Sequence, residues 1–350
     1  MEQKEKPEIR DLKPGDIQAF FQSRGEKKYR SDQVLEWLWK KGAVSFGEMT
    51  NLPLPVRELL QQAFTINAAR MEITQTSRDG TVKIGFRLAD NLLVEGVLIP
   101  SGSRATACIS SQAGCPLGCV FCATGIYGYR RNLTAGEIFD QVVALNELSV
   151  LQRKKPLSNV VLMGMGEPLL NYENVMQAIY RLTSETGLGI SPHRITLSTV
   201  GISDRIKQMG DDRVKINLAV SLHTANKLKR DAIVPVNKSN PLSSLSSAVK
   251  YFYDKTKTRI TFEYILLKDF NDGISDAKEL AAFCRIVPCK INLIEYNPAG
   301  KDRFRKSSAE SMNHFKEFLE SKNLIVNIRK SRGADIDAAC GQLANKSKNR

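Results

Sequence analysis

From about residue 105 onward the sequence repeats one pattern: a short apolar run, a junction of glycine or small polar residues, then an amphipathic stretch. The apolar runs fall at 105–111, 159–164, 194–198, 215–221, 260–267 and 289–296, with a last one at 324–330. Stretches of helical periodicity lie between them, among them 134–149, 172–184, 275–286 and 308–321. Strand-length runs alternating with helices predict parallel strands joined by crossover helices. Six such units are too few for an eight-unit barrel. That leaves a partial barrel or an open doubly wound sheet, and in either the chemistry collects at the C-terminal ends of the strands.

The segments before residue 100 follow other rules. Residues 1–65 read as a small helical domain. Ser31-Asp32 precede Val34, Leu35 and Leu38 on one face, with Gly42 as a stop, and Pro53 and Pro55 open a helix carrying Leu59, Leu60 and Phe64. Residues 66–100 form a connector. Met71–Ser77 and Val82–Leu88 are alternating runs separated by a turn containing Asp79-Gly80, which is a hairpin signal. A third run, Leu92–Ile99, follows. Residues 101–333 hold the βα core. Residues 334–350 are a tail that ends in the polar stretch Asn345–Arg350.

Composition narrows the function. A chain with 42% hydrophobic and 25% charged residues is an ordinary soluble globular protein. No apolar run is long enough to cross a membrane. The start, Met1-Glu2-Gln3-Lys4-Glu5-Lys6, lacks the apolar segment of a signal peptide. The expected location is therefore the cytoplasm, where thiols stay reduced. The formal charge of +14 favours a polyanionic partner, nucleic acid ahead of acidic lipid. Residues 1–64 carry 11 basic and 10 acidic side chains, so nearly all of that excess lies in the core.

Seven cysteines in such a chain point to metal binding or catalysis rather than to a disulfide framework. Cys115, Cys119 and Cys122 are spaced C-x3-C-x2-C, and Gly114, Pro116 and Gly118 make the loop tight enough for thiolates to converge. Structural zinc takes four closed ligands, usually as two C-x2-C pairs. Cys284 and Cys289, spaced C-x4-C and distant in sequence, do not supply the second pair and read as spectators. Three thiolates suit a four-iron cluster with one iron left open for substrate.

This spacing, after a first strand and before a run of βα units, resembles the radical S-adenosylmethionine (SAM) enzymes. Met163-Gly164-Met165-Gly166-Glu167-Pro168 ends the second strand. Leu197-Ser198-Thr199, Ser221-Leu222-His223 and Tyr296-Asn297-Pro298 each place small polar groups at later strand ends. With the segment Asp335-Ile336-Asp337-Ala338-Ala339-Cys340-Gly341-Gln342-Leu343, they are similar to the RlmN/Cfr family of RNA methyltransferases over almost the whole chain. The resemblance implies a partial (β/α)6 TIM-like barrel of the radical SAM type behind a small N-terminal helical domain. It implies one [4Fe–4S] cluster on Cys115, Cys119 and Cys122. It further implies SAM contacts from Gly166, Glu167, Ser198, Ser221, Leu222, His223 and Asn297.

Carbon C2 of adenine lies between two ring nitrogens and is not a nucleophile, so it cannot take a methyl group by simple displacement. In the family, a cysteine thiolate first accepts the methyl from one SAM. A 5′-deoxyadenosyl radical from a second SAM then activates that methyl, and a second cysteine resolves the adduct by forming a disulfide. The matching positions are Cys340 as carrier and Cys108 as resolver. Glu95, which interrupts the apolar run Leu92–Leu98, matches the family's proton acceptor.

The implied substrates are one adenosine of 23S ribosomal RNA and one beside the anticodon in tRNA. An electron donor such as flavodoxin or ferredoxin is expected, with no membrane partner, and the chain is expected to act as a monomer. Basic clusters at Arg130-Arg131, Arg153–Lys155, Lys227–Arg230, Lys301–Lys306 and Arg329–Arg332 are the candidate RNA contacts. Phe121, Tyr127 and Tyr129 are either core residues or base-stacking platforms. A target adenine must be unstacked to expose C2. The alternatives are Cfr-like methylation of C8, from which Arg329–Asp335 leans away, and an iron–sulfur RNA-binding protein with no methyl transfer, which leaves Cys108 and Cys340 unexplained.

Overall fold

The computed structural model describes residues 6–299 and 303–344. Met1–Glu5, Lys301 of one basic cluster and the polar stretch Asn345–Arg350 lie outside the described residues. Ten strands form one sheet: β1 (Arg70–Thr76), β2 (Val82–Arg87), β3 (Leu93–Ser101), β4 (Arg104–Cys108), β5 (Asn159–Leu162), β6 (Ile195–Thr199), β7 (Asn217–Ser221), β8 (Ile260–Leu266), β9 (Cys289–Glu295) and β10 (Ile325–Arg329). Their order in the sheet is their order in the chain. β1 to β4 pair antiparallel, and β4 to β10 pair parallel throughout. A doubly wound sheet reverses its strand order at a switch point, and this one never does. Sequential order with crossover helices is barrel winding. The barrel is partial, with β4 and β10 at its two ends and the β1–β3 meander extending the β4 side.

The strands are where the apolar runs predicted them. The run at 105–111 is divided: β4 stops at Cys108, and the chain re-pairs at Gln112–Gly114 with Tyr129–Asn132 in a separate two-stranded ribbon. β8 is buried along its whole length, as expected for a central parallel strand covered on both faces. β1 is an exposed edge strand, kept from pairing further by charged side chains such as Arg70 and Glu72. The first crossover helix, Ala135–Arg153, starts at a reciprocal cap: Thr134 Oγ1 accepts from Glu137 N–H, and Glu137 Oε2 accepts from Thr134 N–H at 2.9 Å.

The N-terminal helices (Pro14–Gln22, Tyr29–Trp39 and Leu54–Ala63) share one apolar core with the barrel. Two interactions tie this unit to the first crossover helix. Arg10 donates to Asp140 at 2.6 Å, and Trp39 meets Phe139 edge to face at 5.2 Å. The Arg10 guanidinium is buried, and Asp140 supplies the counter-charge that burial demands.

The tail differs from a free carrier arm. Ser77 Oγ donates to Asp335 at 2.6 Å, and Gly333 N–H donates to Asp79 at 3.1 Å. Ala123 N–H reaches Gly341 O at 2.7 Å, Thr124 Oγ1 reaches Leu343 O at 2.6 Å, and Ala344 N–H reaches Glu95 Oε2 at 2.8 Å. The Gly/Asp/Ala-rich composition that suggested flexibility instead lets the backbone lie close against three other segments.

Candidate active site

The C-terminal ends of β5 to β10, the loop after β4 and the tail line an open cavity. Cys115, Cys119 and Cys122 line one side of it. Their loop is the connection of the small ribbon, and its path needs glycine. Gly114 has φ +86, and a side-chain carbon there would lie 1.9 Å from Gly128 O. Burial pushes the Cys115 thiol up to about 12 and raises Cys119 further, so the thiolate forms need a bound cation. Among the described residues, no three Cys, His, Asp or Glu groups converge tightly enough for a single metal ion. Three soft thiol donors on one tight loop suit an iron–sulfur cluster.

Four of the seven residues expected around SAM have side chains on the wall, and Gly166 brings its backbone there. Gly166 has φ +101, and a side-chain carbon would meet Gln112 at 2.6 Å. Glu167 is buried, with its carboxylate accepting from Val200 N–H at 2.9 Å and Leu169 N–H at 3.1 Å. Burial outweighs those donors and lifts its pKa to about 7. Ser198 and Ser221, at neighbouring strand ends, lie Oγ to Oγ at 3.3 Å. His223 packs edge to face on Phe121 at 4.7 Å, and its Nδ1 accepts from Ile265 N–H at 3.2 Å. Desolvation and the Arg230 charge hold its pKa at about 3, so the ring is neutral.

Two expected residues stand back from the wall. The Leu222 side chain is fully buried, and its N–H donates to Glu263 O. Asn297 Nδ2 donates to Glu295 O at 3.3 Å and to Cys340 O at 3.4 Å, holding the tail.

Cys340, an exposed thiol, lines this cavity and a second one that shares part of its lining. Buried Cys108 lines the second cavity. The two thiols therefore share a chamber, and Cys340 is, with Cys122 and Arg329, among the residues that line both. All seven cysteines are free thiols. Burial, and then the neighbouring Cys340, raise Cys108 to about 12. Glu95 is buried in β3 but lines neither chamber. Its carboxylate takes the Ala344 N–H and faces Lys83 Nζ at 3.4 Å.

Two residues of the site were not singled out from sequence. Arg329 belongs by sequence to a basic cluster, yet it points inward and lines both chambers, 3.7 Å from Glu263 Oε2. Glu263 is a lone acid in the apolar run Ile260–Leu266, the same signal that marked Glu95. Tyr127 and Tyr129 are exposed, whereas Phe121 is core, packed on His223.

Two family models cover these two parts of the chain. The Ribosomal RNA large subunit methyltransferase N-terminal domain matches residues 8–66, and the Radical SAM superfamily matches residues 109–283. A probable dual-specificity RNA methyltransferase RlmN from Christiangramia forsetii is 52% identical, covering 98% of this chain and 97% of its own. This chain belongs to the RlmN family of radical SAM methyltransferases. A relative under the same name from Salinibacter ruber is 44% identical over 94% of this chain and 91% of its own. A crystal structure of a radical SAM methyltransferase from Sphaerobacter thermophilus superposes with TM-score 0.91 at 37% identity, covering 96% of this chain and 99% of its own. RlmN relatives thus share the helical N-terminal unit as well as the barrel. No helix among the described residues is long and apolar enough to cross a membrane.

Proposed function

We propose that this chain methylates C2 of one adenosine in 23S rRNA and of one adenosine beside the anticodon in tRNA, through a methyl group carried on Cys340. The observation that carries the reading is that the Cys340 thiol lines both cavities. The first is lined by Cys115, Cys119 and Cys122, and the second by Cys108 together with Cys122. A carrier must meet the methyl donor on one side and the acceptor and resolver on the other.

The cluster held by Cys115, Cys119 and Cys122 would supply the electron that cleaves SAM to methionine and the 5′-deoxyadenosyl radical, and would take one electron back from the adduct. Glu167 and the Ser198–Ser221 pair would bind the polar groups of SAM. Cys340 thiolate takes a methyl group from a first SAM, releasing S-adenosylhomocysteine. Its S-methyl group then gives one hydrogen atom to the radical made from a second SAM, and its carbon bonds to adenine C2. After one electron and the C2 proton leave, Cys108 thiolate attacks the Cys340 sulfur. The S–S bond forms, the S–CH2 bond breaks, and the carbon gains a proton to become the methyl group. Glu95 is the proposed acceptor of the C2 proton. It becomes available when the hydrogen bond from Ala344 opens, which couples the base to tail movement. An external dithiol must then reduce the Cys108–Cys340 disulfide by thiol–disulfide exchange before the next turnover, its own two thiols becoming the disulfide.

Lys330 and Arg332 line the second chamber and are exposed, which suits a phosphate backbone entering there. We place the enzyme in the cytoplasm, acting as a monomer and served by a flavodoxin- or ferredoxin-type electron donor. The test is incubation of reduced, cluster-loaded protein with SAM and unmodified RNA, followed by nucleoside mass analysis. The expected product is 2-methyladenosine. 8-Methyladenosine would replace this reading with the C8 activity, and SAM cleavage with no RNA product would remove both.

A further inference from the structure

β10 ends at Arg329, and the chain runs on with alternating exposure. Lys330 and Arg332 are exposed, while Arg329 and Ser331 are half-buried, and all four line the second chamber. Of these four, Arg329 alone also lines the first. Its guanidinium carries five N–H donors. Among the described residues its side chain makes one hydrogen bond, from Nη1 to Met163 Sδ at 3.4 Å, and a thioether sulfur is a weak acceptor. Glu263 supplies the counter-charge, but its Oε2 stands 3.7 Å from Nη1, beyond hydrogen-bond distance, and has no other partner. The other Glu263 oxygen is held by β9, accepting from Asn292 Nδ2 at 2.8 Å. Ser331 Oγ is buried and also has no hydrogen-bond partner.

Arg10 shows how a structural arginine is filled. It lies 2.6 Å from Asp140, and its other nitrogens donate to Glu8 and to Asn67 O. Arg329 is neutralised by Glu263 but not filled by it, so its donors stay open to a ligand in the chamber. The geometry of methyl transfer narrows that ligand. Adenine C2 must come to the carbon on Cys340, and Arg329 lines both cavities that Cys340 lines. The two ring atoms bonded to C2, N1 and N3, are hydrogen-bond acceptors. Exposed Lys330 and Arg332 suit the phosphates of the same nucleotide chain, which leaves the inward Arg329 for the base.

We infer that Arg329 is a further catalytic residue that holds the target adenine by a ring nitrogen beside C2, N1 or N3. This rests on the proposed function above. The contact aims C2 at Cys340. It also draws electron density from C2 and stabilises the ring nitrogen as the methylene radical adds, with no proton transferred from the guanidinium.

The experiment is a cycle between protein and RNA, run on the full-length, cluster-loaded enzyme. The target adenosine of an unmodified RNA fragment is replaced by 1-deazaadenosine or 3-deazaadenosine, each lacking one of the two nitrogens. Single-turnover C2 methylation, read by nucleoside mass analysis, is divided by the S-methyl content of Cys340, which removes any loading defect from the rate. Arg329→Met should slow transfer to adenosine RNA at least tenfold. One of the two analogues should slow wild type by a similar factor, and on that analogue Arg329→Met should lose less than threefold more. Should Arg329→Met fail to fold by thermal melt, Arg329→Lys carries the same cycle, since it keeps a charge opposite Glu263 and loses the planar fork. Losses that multiply independently for both analogues would overturn the inference. Alongside them, a salt slope of RNA binding lowered by about one would make Arg329 a phosphate contact, and tenfold weaker SAM binding would make it a SAM ligand. Wild type that methylates no C2 overturns the proposed function and this with it, whereas normal wild-type turnover with independent losses overturns this alone.

Discussion

The two ends of the parallel sheet carry the same reactive residue in different settings. Cys284 and Cys289 sit at the start of β9, where the Cys289 thiol donates to Cys284 O at 3.6 Å and both pack against the main apolar core. Cys108, Cys115, Cys119, Cys122 and Cys340 gather at the opposite end. That end also holds the buried Glu167 and Glu263, the positive-φ glycines Gly114 and Gly166, and two chambers. The difference is one of strand direction. Strand C-termini open into loops whose backbones can be shaped, while the start of β9 is closed by a three-residue 3-10 turn, Cys284–Ile286. Thiol chemistry here is a property of place, not of residue type.

Exchanging alanine for one cysteine at each end should split the molecule most sharply. Cys119→Ala should abolish cluster uptake, seen as loss of visible iron–sulfur absorbance, and lower RNA methylation on the order of 10³-fold or more. Cys284→Ala should leave uptake and turnover within about twofold and cost roughly 1 kcal/mol in denaturant unfolding. A cluster lost from Cys284→Ala would end the comparison. Close behind in size are the two chamber thiols. Cys340→Ala should lose the S-methyl mass on its peptide and all RNA product. Cys108→Ala should accumulate a protein–RNA crosslink, and free turnover in that variant would remove its resolving role.

Glu167 gives a smaller, pH-dependent effect with no counterpart at the other end. Its carboxyl titrates at about 7 in the fold against 4.5 when exposed. Between those values the folded chain keeps a proton that the unfolded chain has released. The resulting stability is present in full below pH 4.5 and is lost as pH rises through 7, about 3 kcal/mol in the cluster-free protein. Glu167→Gln should flatten that slope. Binding of SAM should strengthen as pH rises through 7, because the ionised carboxylate accepts from the ammonium group. Glu167→Gln should weaken it roughly tenfold at pH 8 and remove the pH dependence. Isothermal titration at pH 6 and pH 8 separates these outcomes.

The local signals and the non-local ones divide what was legible. Strand and helix positions, the cysteine loop and the strand-end motifs depend on short-range pattern, so sequence reveals them. The division of 105–111 at Cys108 was not visible, because nothing in Cys108-Ile109-Ser110 marks the departure. Ser110 is instead captured by Glu95 O, which accepts from its Oγ at 2.6 Å, and by Gln141, which accepts from its N–H at 2.9 Å. Arg329 and the docked tail were hidden for the same reason. Charge and glycine content describe a segment alone, whereas Arg329 is drawn inward by Glu263 and the tail by Ser77, Thr124 and Glu95. Leu222 and Asn297 show the converse: a motif can point to a strand end while its individual side chains serve the core or the tail.

The smallest effect tests whether the surface charge also distinguishes the two ends. Lys330 and Arg332 are exposed at the second chamber, while Lys257 and Arg259 are exposed just before β8 at the opposite end. Removing a side chain that pairs with an RNA phosphate should reduce the salt slope of binding by about one. The pair Lys330→Ala and Arg332→Ala should therefore lower the slope by nearly two and weaken binding roughly tenfold at low salt. Arg332 also lies 3.8 Å from Asp79, an exposed pair of little energetic weight, so its replacement should barely touch folding. Lys257→Ala with Arg259→Ala removes the same formal charge, so any long-range effect of net charge is common to both pairs. Equal losses of affinity from the two pairs, measured by filter binding across a salt series, would mean that RNA feels the whole +14 and not the chamber rim.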